Sequence, residues 1–165
     1  MSKEIALSRG LVAIVDDEDF DWLNQWKWCA LRSKNAFYAA RGTWDGKRKA
    51  TILMHREILG KEAGAYVDHR DNDGLNNQRA NLRACTQSEN SLNHGGWKKG
   101  KASRYKGVFQ AKGKSTWFVS FRGKYVGSYA DQESAARAYD AAALDYSPEF
   151  ARVNFPQGGP QCPAL

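Results

Sequence analysis

"VDHRDNDGLNNQRANLRACTQSEN", Val67 to Asn90, sets an adjacent Asp68–His69 pair ahead of a loop crowded with Asn, Asp and Gly. "YVDH" (66–69) reads as extended chain ending in polar groups, and "NLRACT" (81–86) as a second short extended piece. "TQSENSLNH" opens with the pattern T-x-x-E. Thr86 caps the backbone and Glu89 reaches back to it, a capping box that starts a helix. Asn90, Asn93 and His94 then share one side of that helix, at spacings of three and four. The unit is strand, loop, strand, helix, with polar groups converging at one end. An Asx-rich turn alone explains the loop but not the spacing to Asn90. A calcium-loop reading of "DHRDNDG" lacks the Glu required at the twelfth position from Asp68.

Outward from this stretch, 165 residues suffice for one ordinary domain or two small ones. No apolar run is long enough to span a membrane and no signal-peptide core opens the chain, which predicts an intracellular, cytoplasmic protein. Cys29, Cys85 and Cys162 form no CxxC pair, so a zinc ribbon or a disulfide framework is not expected. Any metal should be held by oxygen and nitrogen, which favours Mg²⁺.

The charge is unevenly placed. Residues 1–97 hold 14 Lys/Arg against 13 Asp/Glu, whereas residues 98–130 hold nine basic residues and no acidic one. Such a stretch suggests a polyanionic partner, most simply nucleic acid. The chain divides at "NHGGWKKGKAS" (93–103), with 95–103 read as a basic Gly/Lys linker able to order on a polyanion. Ahead of it, "LVAIVD" is a short strand. Phe20, Leu23 and Trp26 are expected to share a helical face, and "WDGK" marks a hairpin turn that leads into a helix near Met54. Trp22, Trp26, Trp28 and Trp44 are read as core and support. Behind the linker, strands at 105–111, 115–122 and 124–130 form an antiparallel meander. A helix over 131–146 follows, capped by Asp131 and carrying an apolar stripe of Ala135, Ala138, Tyr139, Ala142 and Tyr146. Residues 157–165 form a tail.

The pair Asp68-His69, then Asn81-Leu82, then Asn90 resembles the HNH nucleases, in particular the phage and intron-encoded branch. "MHREIL" (54–59) is similar to the front half of such enzymes. The resemblance covers roughly 67–93 and implies a ββα-metal fold there, within a nuclease domain over 1–94 that carries a β-rich N-terminal extension; it also implies hydrolysis of a phosphodiester bond with one Mg²⁺ or Mn²⁺ ion per chain. In that scheme His69 is the general base and Asn81 hydrogen-bonds across the loop to hold its tautomer. Asp68 and Asn90 supply oxygen ligands suited to a hard cation. His94 is a rival ligand. Successive strand residues point to opposite faces, so Asp68 and His69 meet one phosphate only if the strand ends or bends there.

"YKGV", "WFVSFR", "YVGSY", "SAARAYDAAA" and "NFP" resemble the DNA-binding domain of plant ethylene-response factors, over residues 104–156. The resemblance implies a three-stranded sheet on one helix, set into the DNA major groove. Lys106, Lys112, Lys114, Arg122, Lys124 and Tyr125 are its candidate contacts, and Lys98, Lys99, Lys101 and Arg104 join them from the linker region. Phe109 and Ala111 stand where plant members often place Arg, so the same target sequence is not implied. Trp117 and Tyr139 are read as core.

The expected architecture is α+β. The expected activity is DNA endonuclease, a homing-type nickase or double-strand cutter of phage or mobile-intron origin, acting as a monomer on double-stranded DNA. One alternative is a DNA-binding regulator with a degenerate nuclease; another is a structure-specific or RNA-directed nuclease.

Overall fold

A computed structural model describes residues 1–33, 36–44, 46–93, 103–110, 113 and 115–156, the side chains of 61 and 62 excepted. It is a mixed α and β protein of small antiparallel sheets. Two compact units form, Met1–Asn90 and Ser91–Leu165. Of the expected linker, only Ser103 lies within the described residues; Lys98, Lys99 and Lys101 lie outside them, as do Lys112, Lys114 and His94. No helix among the described residues is long and apolar enough to cross a membrane.

The first unit opens with β1 (Ser2–Ala6) and β2 (Val12–Asp16), an antiparallel pair. Acidic residues crowd the first turn of α1 (Asp17–Leu23), where they suit the positive end of the helix dipole. The meander β3 (Cys29–Ser33), β4 (Ala36–Trp44) and β5 (Lys49–Leu53) follows, running directly into α2 (Met54–Leu59). Gly60, at φ +53°, ends that helix in a conformation that glycine adopts without penalty. β6 (Tyr66–His69) and β7 (Leu82–Cys85) pair antiparallel across a long loop, and α3 (Gln87–Asn93) comes after. Ile5, Ala13, Val15, Leu23, Trp28, Met54, Ile58 and Leu82 are buried together as the core.

The tryptophans divide. Trp28 is buried and Trp22 half-buried against the core, whereas Trp26 and Trp44 are exposed. Trp26 lies beyond the end of α1 and does not share its face with Phe20 and Leu23; it stacks instead against the Arg41 guanidinium, 4.3 Å from the ring centroid.

In the second unit β8 (Val108–Gln110), β9 (Trp117–Phe121) and β10 (Lys124–Tyr129) form a sheet with β9 at its centre. All three strands are shorter than the sequence suggests. β9 and β10 turn at Arg122 and Gly123, both at positive φ, as a two-residue hairpin requires. α4 (Gln132–Tyr146) begins at Asp131, whose side chain accepts from the Ser134 amide at 2.8 Å. Its buried residues are Ala135, Ala136, Tyr139, Asp140 and Ala143, a stripe rotated from the expected one. The reason is Asp140. Its carboxylate accepts from the Asn154 amide at 2.7 Å and the Phe155 amide at 2.9 Å, so "NFP" is clamped over the helix and the acid turns inward. Gly107 lets β8 approach that helix: a Cβ there would lie 1.9 Å from the Tyr139 ring.

Candidate active site and nucleic-acid interface

β6 delivers Asp68 and His69 in full pairing, Asp68 opposite Arg83 and His69 opposite Leu82. The strand does not bend between them, so the two side chains leave on opposite faces. On one face the Arg83 guanidinium donates twice to Oδ2 of Asp68, at 2.9 and 2.6 Å, and both residues are buried. The turn that the sequence suggests comes one step later. The Asn72 amide donates to the His69 carbonyl at 2.9 Å, with Asn72 itself at φ +64°.

On the other face His69 stands in a cluster of rings. The His55 ring is 5.0 Å away and nearly perpendicular to it, and the Tyr38 ring is 5.9 Å away. Nε2 of His69 lies 3.4 Å from Oδ1 of Asn77. The Asn77 amide is oriented by its own Nδ2, which donates to the Leu75 carbonyl at 3.1 Å. An oxygen facing Nε2 favours the tautomer protonated there and leaves Nδ1 as the basic nitrogen. Burial lowers the His69 pKa; the Asn77 bond and the Asp71, Asp68 and Asp73 carboxylates oppose this without reversing it. The imidazole is therefore neutral at pH 7.

Asn81 does a different job from the one expected. It hydrogen-bonds across the loop, but not to His69. Its Nδ2 donates to Oδ1 of Asp71 at 2.9 Å and to the Asn76 carbonyl at 2.8 Å, while its Oδ1 accepts from the Asp71 amide at 3.1 Å. Burial pushes the Asp71 carboxyl up, but hydrogen bonds from the Asp73 amide, Asn76 and Asn81 outweigh it and hold the group low. Asn81 thus shapes the loop, and Asn77, wholly buried, holds the ring.

The loop is in turn sewn to the start of the chain. The Ile14 amide donates to the Leu75 carbonyl at 2.9 Å and the Asn77 amide to the Ile14 carbonyl at 2.7 Å. Arg79 donates to both oxygens of buried Asp19, at 2.7 and 2.8 Å, and its amide to Asp16 at 2.7 Å. Gly74 allows the loop to touch β4: a Cβ there would sit 2.4 Å from the Phe37 carbonyl oxygen.

Asn90 lies in α3, half-buried, its amide donating to the Thr86 carbonyl at 3.0 Å. The capping box forms as the sequence predicts, the Thr86 amide donating to Glu89 at 2.8 Å and the Glu89 amide to Thr86 Oγ1 at 3.3 Å. Between the strand and the helix, burial pushes the Cys85 thiol up to about 11, with the Asp68 and Glu89 carboxylates adding to the shift. Among the described residues no three of His, Cys, Asp and Glu converge as a metal-holding group. The sequence reading missed His55, Tyr38, Asn77 and Arg83. Arg83 alone had a legible signal, as the residue opposite Asp68 once the two strands are paired.

In the second unit the candidates for nucleic-acid contact separate. Val108, Trp117, Val119 and Phe121 face α4 with Tyr139. Lys106 is half-buried on that side. Its ammonium donates to the Leu92 carbonyl oxygen and lies 5.8 Å from the Tyr139 ring; burial lowers its pKa to about 8, with Arg152 adding. Arg122 is turned the same way, its guanidinium 4.0 Å over the Tyr146 ring. Lys106 is thus engaged within the unit, whereas Arg122 stays exposed beside its ring. Arg104, Lys124 and Tyr125 are exposed. Trp117 and Tyr139 belong to the core as expected.

Two comparisons with known proteins bear on these readings. The chain is similar, at 44% identity over 59 residues, to an AP2-like ethylene-responsive transcription factor of Arabidopsis thaliana. That match takes in 32% of this chain and 14% of the plant protein, and is compatible with a DNA-binding segment. Residues 50–92 match the family model of the HNH endonucleases. This segment runs from β5 to α3 and contains His55, Asp68, His69, Asn77, Asn81 and Asn90, so the match supports a nuclease at the site just described.

Proposed function

We propose that the chain is a metal-dependent DNA endonuclease in which His69 is the general base. The observation that carries this reading is a buried, neutral imidazole with Nε2 held by Asn77, inside the segment that matches the HNH endonucleases. Nδ1 of His69 takes a proton from water, the resulting hydroxide attacks phosphorus, and the bond to the 3′-oxygen breaks; that oxygen takes a proton from a second water, leaving 3′-hydroxyl and 5′-phosphate ends, and His69 returns its proton to solvent. Asn77 orients the ring, and Asn81 keeps the loop that carries Asn77 closed. The oxygen donors of Asp68 and Asn90 suit Mg²⁺ or Mn²⁺; because β6 ends at His69 and the chain turns just beyond it, a phosphate lying across that end would meet both the ion and the imidazole. Arg83 on Oδ2 does not disqualify Asp68, because a carboxylate has two oxygens and several lone pairs. One bound ion would supply charge stabilisation at the phosphate and the leaving oxygen. The basic second unit would keep duplex DNA near the site, so that a monomer suffices to nick. A homing-type enzyme of phage or mobile-intron origin, working in the cytoplasm, is the setting that the sequence resemblance favours.

A second reading, a DNA-binding regulator with an idle nuclease, is favoured by one observation: Asp68 is buried and already ion-paired. Supercoiled DNA carrying genomic fragments, incubated with Mg²⁺ beside an EDTA control and His69→Ala, separates the two. Open-circle product from the native protein alone, with His69→Ala binding DNA normally, supports the nuclease. Tight, salt-sensitive binding with no cleavage supports the regulator.

A further inference from the structure

Among the described strand residues, the open face of the second unit's sheet is aromatic and uncharged. Cross-strand pairing places Phe109 opposite Phe118, Phe118 opposite Ser128 and Ser120 opposite Tyr125. These five residues share the face turned away from α4, because Val108, Val119 and Phe121, which alternate with them, form the core with that helix. Phe109 is 45% exposed and Tyr125 66%. The rings form one row: Phe109 and Phe118 have centroids 5.9 Å apart and planes 25° apart, and Tyr125 follows 6.5 Å from Phe118. No described strand residue on this face is charged.

The surroundings say what such a face meets. Residues 98–130 contain nine Lys and Arg and no Asp or Glu, and Arg104 and Lys124 are exposed. An apolar protein partner gains nothing from that charge, whereas a polyanion does. A phosphate backbone would be met by the cations and the base edges by the aromatic row. No described strand residue on the face is an Arg, Lys, Asn or Gln able to donate paired hydrogen bonds to guanine or adenine. What the major groove offers an apolar surface is the C5-methyl group of thymine. The ring geometry favours methyl contact over base stacking. Phe109 and Phe118 stack on each other in an offset pair, which leaves ring edges and flanks for a ligand rather than two open faces.

We propose that Phe109, Phe118 and Tyr125 read thymine methyl groups in the major groove of duplex DNA, and so make this chain select A·T-rich sites. The inference rests on DNA being the partner, and its test separates the two claims. The full chain, in EDTA, is titrated with alternating dA-dT, dA-dU and dG-dC duplexes at several salt concentrations. Changing thymine to uracil removes only the methyls. The dA-dT duplex should bind most tightly, and dA-dU should bind about fourfold more weakly for each methyl contacted. The slope with salt should be the same for all three, since the phosphates are unchanged. Phe109→Ser with Tyr125→Ser, two exposed positions, should erase the dA-dT preference and leave the salt slope intact. Equal affinity for dA-dT and dA-dU sinks the methyl reading while leaving DNA binding in place. A preference for single-stranded oligonucleotides over every duplex overturns it in favour of base stacking. Failure to bind any of the duplexes removes the DNA partner itself, and the inference with it.

Discussion

His55 has a direct signature in solution. Its Nδ1 is buried without a partner, and burial lowers its pKa from 6.5 to about 3, with His69 and Arg56 adding. Below pH 6.5 the unfolded chain takes up a proton at this imidazole that the folded chain refuses. Stability is therefore complete above pH 6.5 and falls as the pH drops towards 3, with a slope approaching about 1.4 kcal/mol per pH unit. His69, lowered for the same main reason, acts in the same direction. Denaturant midpoints at pH 5 and pH 7 measure the effect, and His55→Phe should flatten it; an unchanged pH dependence in that variant would assign the effect elsewhere. Arg83→Met removes the two guanidinium hydrogen bonds from the buried Asp68 carboxylate and should cost about 3 kcal/mol, most of it recovered when Asp68→Leu is added. The sequence singles out Asp68, His69, Asn81 and Asn90 as candidates, but not the different hydrogen-bond partners of Asn77 and Asn81. Both amides lie in one polar loop, and only the folding of that loop onto β2 decides which of them meets the ring.

The loop between β6 and β7 is held in place by another element, and that is where it can be weakened. Arg79→Ala takes two charge-assisted hydrogen bonds from the buried Asp19 carboxylate, leaving it the Trp22 indole N–H at 3.1 Å, and should destabilise the first unit by about 2 kcal/mol. Hydrogen exchange should speed up across residues 70–81 before it does so in β4; uniform change across the unit would mean that the tether is only one contact among many. In the second unit, Gly107→Ala drives a methyl group into the Tyr139 ring at a position with φ +75°, and should lower the melting temperature of that unit well beyond the effect of an exposed substitution. Hairpins, the capping box and the Asp131 cap were legible because each is a local matter of turn or helix-end chemistry. The buried stripe of α4 was not, because Asp140 is drawn inward by Asn154, fourteen residues away, and no helical period records that pull.

Across the whole molecule the charge is divided between the units. Met1–Asn90 is nearly neutral, whereas the nine-cation stretch lies in Ser91–Leu165. Arg104→Ala with Lys124→Ala should flatten the dependence of DNA affinity on salt by about two units of slope, whereas Lys106→Ala should leave the slope nearly unchanged and lower stability. Filter binding from low to moderate salt distinguishes these outcomes; a reduced slope for Lys106→Ala would place its ammonium on the DNA after all. The bonds that sew residues 75–79 to Ile14, Asp16 and Asp19 join positions some sixty apart in the chain. During synthesis the carboxylates of Asp16 and Asp19 emerge long before the guanidinium of Arg79 that they await, and His69 emerges before Asn77. Pairings of this range form late, because a long loop must close before they stabilise anything. A half-made chain therefore has strands but no oriented imidazole, and under the proposed function it would leave the DNA around it uncut until its loop closes on its own beginning.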